Sequence, residues 1–188
     1  MLQHAGTMTR SQYYVAASID GYIADANGRL DWLLQFDNVE GVGEHYKAFL
    51  SGVGALAMGA ATYEFVLGQN METWPYAGIP TWVFTHRQLP GFPGADIRFT
   101  SEDVGQVHEQ MVQAAGGKNI WLVGGGNLVA QFARRGLLNE LLLTVIPVVL
   151  GGGAPLLPAS VSGLLELKGL TRFDRGLVEL HYALPTAR

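Results

Sequence analysis

Residues 120–132 read Ile-Trp-Leu-Val-Gly-Gly-Gly-Asn-Leu-Val-Ala-Gln-Phe, which is the most informative segment of the chain. Four apolar residues predict a buried strand, and three glycines lead from it into an amphipathic helical run. Glycine lacks a Cβ atom, so a ligand can approach the backbone closely, and the N-terminus of a helix attracts anions. The pattern therefore indicates a nucleotide cofactor. The alternative is a glycine turn that serves only the packing of strand against helix.

The composition is that of an ordinary folded domain. The chain has 188 residues, of which 48% are hydrophobic and 15% charged, and this predicts one domain with a sizeable core. The formal net charge of −4 does not favour nucleic-acid binding, which normally needs a basic face. The chain has no cysteine, which excludes disulfides, thiolate metal sites and a cysteine nucleophile and fits a reducing, cytoplasmic compartment.

Two segments bear on the limits of the domain and on membranes. Residues 1–12 lack the apolar core of a signal peptide and are predicted to form a flexible tail, which leaves a single domain at residues 13–188. The uncharged run at residues 141–165 is long enough for a membrane span. Its prolines and glycines rule out a continuous helix, so we predict a strand and a loop there and no membrane contact.

Hydrophobic periodicity and turn residues predict that strands and helices alternate through most of the chain. Strands are predicted at residues 13–24, 55–59, 81–85, 96–100, 120–123 and 141–150, and helices at residues 38–50, 62–67, 102–115 (capped by Ser101) and 127–132. Residues 164–173 and 177–184 predict a final antiparallel hairpin. This order favours an α/β fold with a mostly parallel sheet and an antiparallel edge.

Four segments, taken in order, carry a family resemblance. They are the opening strand at residues 14–24, Met-Gly-Ala-Ala-Thr-Tyr-Glu at residues 58–64, the glycine turn at residues 123–132, and the strand and glycines at residues 143–153. Together they resemble the reductase domain of riboflavin biosynthesis (the RibD C-terminal type) and dihydrofolate reductase, over residues 13–184. The resemblance implies the three-layer dihydrofolate-reductase-like fold, with helices on both faces of a mostly parallel sheet and an antiparallel C-terminal edge strand. It also implies NADPH as hydride donor and a small heterocycle or imine as acceptor.

The resemblance implies that cofactor-binding residues lie in several separate parts of the chain. The glycine turn should lie beside the diphosphate, a helix starting at Thr62 should point at the phosphates, and residues 85–87 should hold the 2′-phosphate. The implied set is Ala16, Ile23, Gly59, Thr62, Thr85, His86, Arg87, Val123, Gly124, Gly125, Gly126, Asn127 and Leu128. Ala60 stands where the family usually has an arginine, so Arg87 becomes the main candidate cation. A solvated loop arginine, a plain helix cap and core packing are the alternatives for these positions.

The resemblance also implies an acceptor side. Ser18 and Asp20 should line the substrate site, although Asp20 also suits a simple Asp-Gly turn. Reduction of a nitrogen heterocycle needs a proton, and Glu44 is nearest to the carboxylate that serves dihydrofolate reductase. Asp20 and Glu44 are therefore the catalytic candidates, with a surface position as the alternative for Glu44. Thr144 and Trp32 join Ser18 as substrate-binding candidates, against routine strand and packing roles.

Other chemistries find no support in the sequence. Residues 52–57 match the Gly-x-Gly-x-x-Ala dinucleotide pattern, but a predicted helix precedes them and a strand follows, which reverses the required order. The five histidines have no metal-ligand spacing, so we predict no metal site. The Gly-x-Ser-x-Gly and P-loop motifs are absent.

The main prediction is an NADPH-dependent reductase of the RibD C-terminal type, whose namesake activity is 5-amino-6-(5-phosphoribosylamino)uracil reduction. Two departures count against the named enzymes themselves: the Thr-Val-x-x-Asp-Asp-Pro stretch is missing after Thr62, and Leu-Asp-Trp at residues 30–32 replaces Leu-Pro-Trp. The alternatives are a non-catalytic NADP(H)-binding or sensing protein and a purely structural domain. Relatives of this type are often homodimers, and residues 141–150 with the final hairpin are the predicted interface.

Overall fold

The structure is a computed structural model that describes residues 8–185. In chain order its elements are β1 (Ser11–Ser18), β2 (Tyr22–Ala24), α1 (Asp31–Leu34), α2 (Val42–Ser51), β3 (Val53–Gly59), α3 (Ala60–Leu67), β4 (Thr81–Phe84), β5 (Ile97–Thr100), α4 (Val104–Ala115), β6 (Asn119–Gly124), α5 (Gly126–Arg134), β7 (Glu140–Ile146), β8 (Ala154–Pro155), β9 (Glu166–Arg172) and β10 (Val178–Ala183), with a 3-10 turn at Asp174–Gly176. Residues 1–7 of the predicted tail lie outside the described part of the chain. None of the helices in residues 8–185 is both long and apolar enough to cross a membrane.

Eight strands form the main sheet in the order β5-β4-β3-β6-β1-β7-β10-β9. The first six strands run parallel, and β10 runs antiparallel to both β7 and β9. This confirms the predicted mostly parallel sheet with an antiparallel C-terminal edge. Because β7 is paired on both sides, the segment predicted as part of a dimer interface is interior to the sheet, and of the hairpin strands only β9 lies at an edge.

Helices cover both faces of the sheet, which makes the predicted three-layer fold. Along β3, Ala55 and Ala57 pack in the core under α4 and α5, whereas Leu56 and Met58 pack on the opposite side with α2 and α3. Successive strand residues point to opposite faces, so this alternation separates the two layers. The buried side chains of α1 join the α2 layer through Trp32.

The first strand differs from its prediction at both ends. It begins at Ser11, so the last two residues of the predicted tail belong to the sheet. Both Ser11 and Gln12 are buried, and the Gln12 amide donates to Glu140 Oε2 at 2.6 Å. The strand ends at Ser18, because Gly21 has a φ of 89° and turns the chain so that β2 pairs with β8. Buried polar residues and a sharp turn are features that hydrophobic periodicity does not detect.

Several element boundaries also differ from those predicted. Helix α3 starts at Ala60 after Gly59, so Thr62 is its third residue and not its first. Helix α4 is capped by Asp103, whose side chain accepts from the Gly105 N–H at 2.8 Å, and not by Ser101. Helix α2 begins only after Gly41, whose φ is 83°. Strand β7 ends at Ile146, and residues 147–153 form a loop.

Candidate functional site

The connections of two neighbouring strands diverge at the carboxyl end of the sheet. Strand β3 continues through α3 to β4, whereas β6 continues through α5 to β7 on the other side of β1. The two helices lie on opposite faces, so a crevice opens between the ends of β3 and β6. Open α/β sheets bind their ligands at such a topological switch point.

Both helices that flank this crevice begin without a side-chain cap. Gly59 precedes α3 and Gly125 precedes α5, and neither helix start receives a side-chain hydrogen bond. The first N–H groups of a helix have no intrahelical partner, so they remain available to an anion. The turns are adjacent, since a Cβ atom on Gly124 would lie 3.7 Å from Thr62 Oγ1. The structure therefore brings together four of the predicted cofactor-binding residues, which are Gly59, Thr62, Gly124 and Gly125.

The glycines of the turn at residues 124–126 serve different purposes. Gly124 has a φ of 136°, a backbone conformation that other residues rarely adopt, and its peptide bond to Gly125 is cis. A Cβ atom on Gly125 would have nothing within 4 Å, so the space in front of it is open. A Cβ atom on Gly126 would lie 2.6 Å from the Pro155 carbonyl oxygen. Gly126 thus fits the packing alternative, and Gly125 fits the approach of a ligand.

The residues on either side of the three glycines also differ in their exposure to solvent. Asn127 is exposed beside the turn. Leu128 is 6% exposed in the core, and its N–H donates to the Gly125 carbonyl oxygen at 3.1 Å. Val123 is half-buried on the α2 and α3 side, next to the crevice. Of these three residues, Asn127 alone is exposed, and it lies at the start of α5.

Arg87, the predicted phosphate-binding cation, forms an ion pair with Glu64. The guanidinium of Arg87 donates two hydrogen bonds to the carboxylate of Glu64 on α3, at 3.0 and 2.7 Å, and both side chains are exposed. These hydrogen bonds and the charge of Glu64 raise the pKa of Arg87. Thr85 Oγ1 accepts from the Arg87 N–H at 3.0 Å, and His86 is exposed. Arg87 is held beside the middle of α3, and its charge is balanced by Glu64.

Asp20 ties two loops together at the carboxyl edge. Its Oδ1 accepts from the Ser18 hydroxyl at 2.7 Å and from the Leu150 N–H at 3.1 Å, while Oδ2 accepts from the Gly151 N–H at 2.7 Å. The Ser18 hydrogen bond, followed by those of the loop backbone, lowers the pKa of Asp20. An ionised carboxylate with both oxygens occupied orders a loop and is poorly suited to donate a proton. These hydrogen bonds favour the alternative interpretation, in which Asp20 is a residue of an Asp-Gly turn.

The other catalytic candidate, Glu44, faces away from the sheet. It is exposed on α2, and the next residue, His45, turns inward because successive helical residues are rotated by about 100°. The His45 Nε2–H donates to Glu179 Oε1 on β10 at 2.8 Å. Glu179 is 4% exposed, and its Oε2 has no hydrogen-bond partner among residues 8–185. The buried carboxylate in this region is therefore Glu179. The sequence around Glu179 is that of an ordinary strand and gives no signal that its carboxylate is buried.

The predicted cofactor contact Ala16 and the predicted substrate contact Thr144 lie in one row across neighbouring strands, which we call the acceptor floor. Ala16 on β1 pairs with Thr144 on β7, which pairs with Glu179 on β10. The structure thus places Ala16 and Thr144 side by side. Trp32 is buried on the same face of the sheet, in a cluster with Ile146 against which Ala16 packs, which is the packing role that was its alternative. Ile23 lies in β2 and is half-buried.

Aromatic residues that were not predicted as site residues gather beside this floor. The rings of Tyr14, Tyr46 and Tyr76 lie 6.0, 6.0 and 5.6 Å from Trp121, measured between ring centroids. They come from β1, α2 and the segment before β4, so their spacing in the sequence gives no signal of their proximity. Within the described residues, no cluster of three or more His, Asp or Glu side chains could hold a metal ion.

Comparison with known proteins agrees with this architecture. The family model described as the RibD C-terminal domain matches residues 69–178. The chain is 36% identical over 171 residues to the uncharacterized protein YwjB of Bacillus subtilis, covering 90% of this chain and 94% of YwjB. A structure from Shewanella sp. PV-4, described as a riboflavin biosynthesis protein, has a TM-score of 0.80 at 27% identity, covering 94% of this chain and 99% of that one. Dihydrofolate reductase from Enterococcus faecalis, complexed with NADP(H), shares the fold with a TM-score of 0.64 at 16% identity, covering 95% and 97% of the two chains. The chain belongs to the RibD C-terminal domain family and shares the fold of dihydrofolate reductase.

Proposed function

We propose that this protein is an NADPH-dependent reductase that transfers a hydride to a small conjugated heterocycle or imine. The observation that carries the proposal is the pair of uncapped helix starts at Gly59 and Gly125, which meet at the switch point between β3 and β6. The open space in front of Gly125 suits a diphosphate. The NADP(H) bound to the Enterococcus faecalis enzyme of the same fold supports the choice of cofactor.

The residues around the crevice fit a dinucleotide. The backbone N–H groups at the starts of α3 and α5, with the Thr62 hydroxyl, would hold the diphosphate. Arg87 would hold the 2′-phosphate, and to do so it must exchange Glu64 for that group. The small side chain of Ala16 leaves room for a flat ring on the sheet. NADPH, when bound, supplies the hydride.

The residues of this chain would hold the hydride donor and the acceptor in position. The loop of residues 147–151, fixed by Asp20, borders the acceptor side. Ala16 and Thr144 form a floor against which two flat rings can be held face to face. Holding donor and acceptor in line accounts for much of the rate that an enzyme of this kind can provide.

The test is titration of the protein with NADPH and with NADH, following the quenching of tryptophan fluorescence. We expect micromolar NADPH binding that the Gly125→Val variant weakens at least tenfold, because its side chain fills the open space. Gly43→Val is the matched control, since a Cβ atom there also meets nothing within 4 Å and Gly43 is exposed on α2, away from the proposed cofactor residues. NADPH oxidation is then measured with dihydropterins and pyrimidines as acceptors. Failure to bind either dinucleotide would overturn the proposal.

A second candidate function, a non-catalytic NADP(H)-binding or sensing protein, is favoured by one observation. Asp20 is occupied by three hydrogen bonds, and Glu44 is exposed, so neither presents a free carboxyl group to the acceptor floor. This candidate predicts tight NADPH binding without turnover of any acceptor in the panel. Turnover of one acceptor at more than the background rate would exclude it.

A further inference from the structure

A cleft opens between helix α2 and the strands at the β9 end of the sheet. We call it the edge cleft, and its volume is about 240 Å³. It is lined by His45 on α2, by Glu179 and His181 on β10, and by Gly169 and Thr171 on β9. Strands β1 and β7 separate β10 from β6, which leads into the glycine turn. The edge cleft is therefore distinct from the proposed cofactor crevice.

Gly169 leaves the floor of the edge cleft open. In the antiparallel pair, Gly169 lies opposite His181 and Thr171 lies opposite Glu179, so all four positions belong to the face that α2 covers. A Cβ atom on Gly169 would lie 3.9 Å from the Cβ atom of His181, which is an ordinary contact distance. A larger side chain at residue 169 would thus occupy the cleft without a clash.

The carboxylate of Glu179 has one oxygen that is not hydrogen-bonded. The residue is 4% exposed, and Oε1 is bound by His45 Nε2 at 2.8 Å. Oε2 has no partner among residues 8–185. Buried polar atoms nearly always have a partner, so a carboxylate oxygen without one, in the wall of a cleft, points to a ligand with an N–H donor. The last torsion of a glutamate side chain is broad, so a small rotation turns Oε2 into the cleft.

A second unpaired atom belongs to the same wall. His181 Nε2 is buried and has no hydrogen-bond partner in the described part of the chain. It lies 3.5 Å from Glu140 Oε2, but the Glu140 carboxylate is already bound by Arg10 and Gln12. Glu179 and His181 are two residues apart on β10, so their side chains share a face of the sheet. Two unpaired buried atoms therefore flank one cleft.

The other walls of the edge cleft favour a small flat cation. Phe49 and Leu142 contribute apolar surface, which suits the ring of a flat ligand. No Lys or Arg of residues 8–185 lines the cleft, so the carboxylate of Glu179 is not neutralised by a fixed positive charge there. An amidinium or a guanidinium forms charge-assisted hydrogen bonds with a carboxylate, and these are stronger than the hydrogen bonds of a neutral amide.

We propose that the edge cleft binds a small flat organic cation of the arylamidine or aminopyridine class, which donates an N–H group to Glu179 Oε2 and packs its ring against Phe49 and Leu142. The hydroxyl oxygen of Thr171, opposite Glu179, accepts a second N–H group of the ligand. The site shares no residue with the proposed cofactor crevice. The cation therefore binds whether or not a dinucleotide is present.

The experiment compares three probes of similar size that differ in charge. Benzamidine is a flat cation, benzamide is its neutral analogue, and benzoate is an anion. Each is titrated into the wild type, Gly169→Val and Glu179→Gln while the backbone amide chemical shifts are followed by NMR. Valine at residue 169 fills the cleft and suits a strand. Leu170→Val is the matched control, because Leu170 lies on the same strand and points to the opposite face.

We expect benzamidine to bind the wild type about tenfold more tightly than benzamide, and benzoate not to bind. The largest shifts should belong to the amides of Gly169, Thr171 and Glu179. Gly169→Val and Glu179→Gln should each weaken benzamidine binding by about tenfold or more, whereas Leu170→Val should bind like the wild type.

Gly169→Val leaves the contact between Glu179 and His45 in place, so it tests the site even where Glu179→Gln lowers the stability of the protein. Unchanged benzamidine affinity in Gly169→Val, equal binding of benzamidine and benzoate, or no binding of benzamidine at millimolar concentration would overturn the inference. These outcomes are independent of NADPH binding, which all of the variants should retain.

Discussion

The His45 Nε2 atom lies 2.8 Å from Glu179 Oε1, and this contact joins helix α2 to strand β10 across the α2 face of the sheet. Glu179 is 4% exposed, so its carboxylate has few alternatives for solvation. The ring of His45 also packs edge-on against Phe173, with 5.4 Å between ring centroids. The contact holds α2 over the part of the sheet that carries Thr144, because Thr144 pairs with Glu179.

Replacing His45 with alanine should destabilise the protein. The substitution leaves a buried carboxylate without its hydrogen-bond donor, which typically costs about 1–3 kcal/mol of the free energy of unfolding. Urea denaturation at pH 7 measures the change. Lys47→Ala is the control, because Lys47 is exposed on the same helix. Equal midpoints for His45→Ala and Lys47→Ala would show that the contact contributes nothing to stability.

The glycine turn allows packing to be separated from cofactor binding. Gly126→Ala places a Cβ atom 2.6 Å from the Pro155 carbonyl oxygen, and such overpacking typically costs about 1–3 kcal/mol of stability. Gly125→Ala meets no atom within 4 Å, and its backbone φ of −82° suits alanine, so the variant should fold like the wild type. It should nevertheless bind NADPH severalfold more weakly, because its methyl group enters the proposed diphosphate space. Thermal unfolding measures the stability of both variants, and fluorescence titration measures their NADPH affinity. Lower stability of Gly125→Ala together with unchanged NADPH binding would contradict the prediction.

Local sequence patterns predicted the sheet and its glycine turn, whereas the contacts around the predicted acceptor residues join parts of the chain that are far apart. The run from Ile120 into the 124–126 glycines is contiguous, so strand, turn and helix could be identified from neighbouring residues. Glu179 and His45 are far apart in the chain, and their contact depends on β10 pairing with β7. The same holds for Tyr76 and Trp121. A family resemblance supplied one carboxylate position, Glu44, but the rotation of α2 turns the adjacent His45 toward the sheet instead.

The ion pair between Glu64 and Arg87 should weaken NADPH binding in this protein. A 2′-phosphate must compete with the Glu64 carboxylate for the same guanidinium. We expect Glu64→Gln to tighten NADPH binding about two- to fivefold at low salt, with little change for NADH, since exposed ion pairs have small energies. Arg87→Ala should weaken NADPH binding and leave NADH binding intact. Titrations at low and at high salt test this, and equal responses of the two cofactors to both variants would exclude Arg87 as the 2′-phosphate ligand.

Strand β9 is the place at which we propose that two copies of the chain associate. It is an edge strand in the described sheet, and Leu167 and Leu170 on it are 51% and 62% exposed. An unpaired edge with exposed apolar residues favours pairing with another strand. Light scattering should give a dimer mass for the wild type and a monomer mass for Leu170→Lys. Leu34→Lys is the control for an added charge at an exposed leucine on α1, and a monomeric wild type would contradict the proposal.

Glu140 should make stability depend on pH in the acid range. Burial alone would raise the pKa of Glu140, but hydrogen bonds from Gln12 and Arg10 and the charges of His181 and Arg10 lower it overall. Because the folded-state pKa is below the unfolded value of about 4.3, the group stabilises the fold above that pH and loses this contribution as the pH falls through the folded-state pKa.

The Glu140→Gln variant isolates this effect from the other carboxylates. At pH 7 it should be less stable than the wild type, by about 1–3 kcal/mol for a buried charged hydrogen-bond acceptor. Urea denaturation at a series of pH values from 7 down to 3 should show the difference shrinking below about pH 4, because the wild-type carboxylate becomes protonated there. Glu102→Gln, at an exposed position, serves as the control. A difference that stays constant over the whole range would mean that the charge of Glu140 is not the source of the stabilisation, because the protonated carboxyl group would then stabilise the fold as much as the carboxylate does.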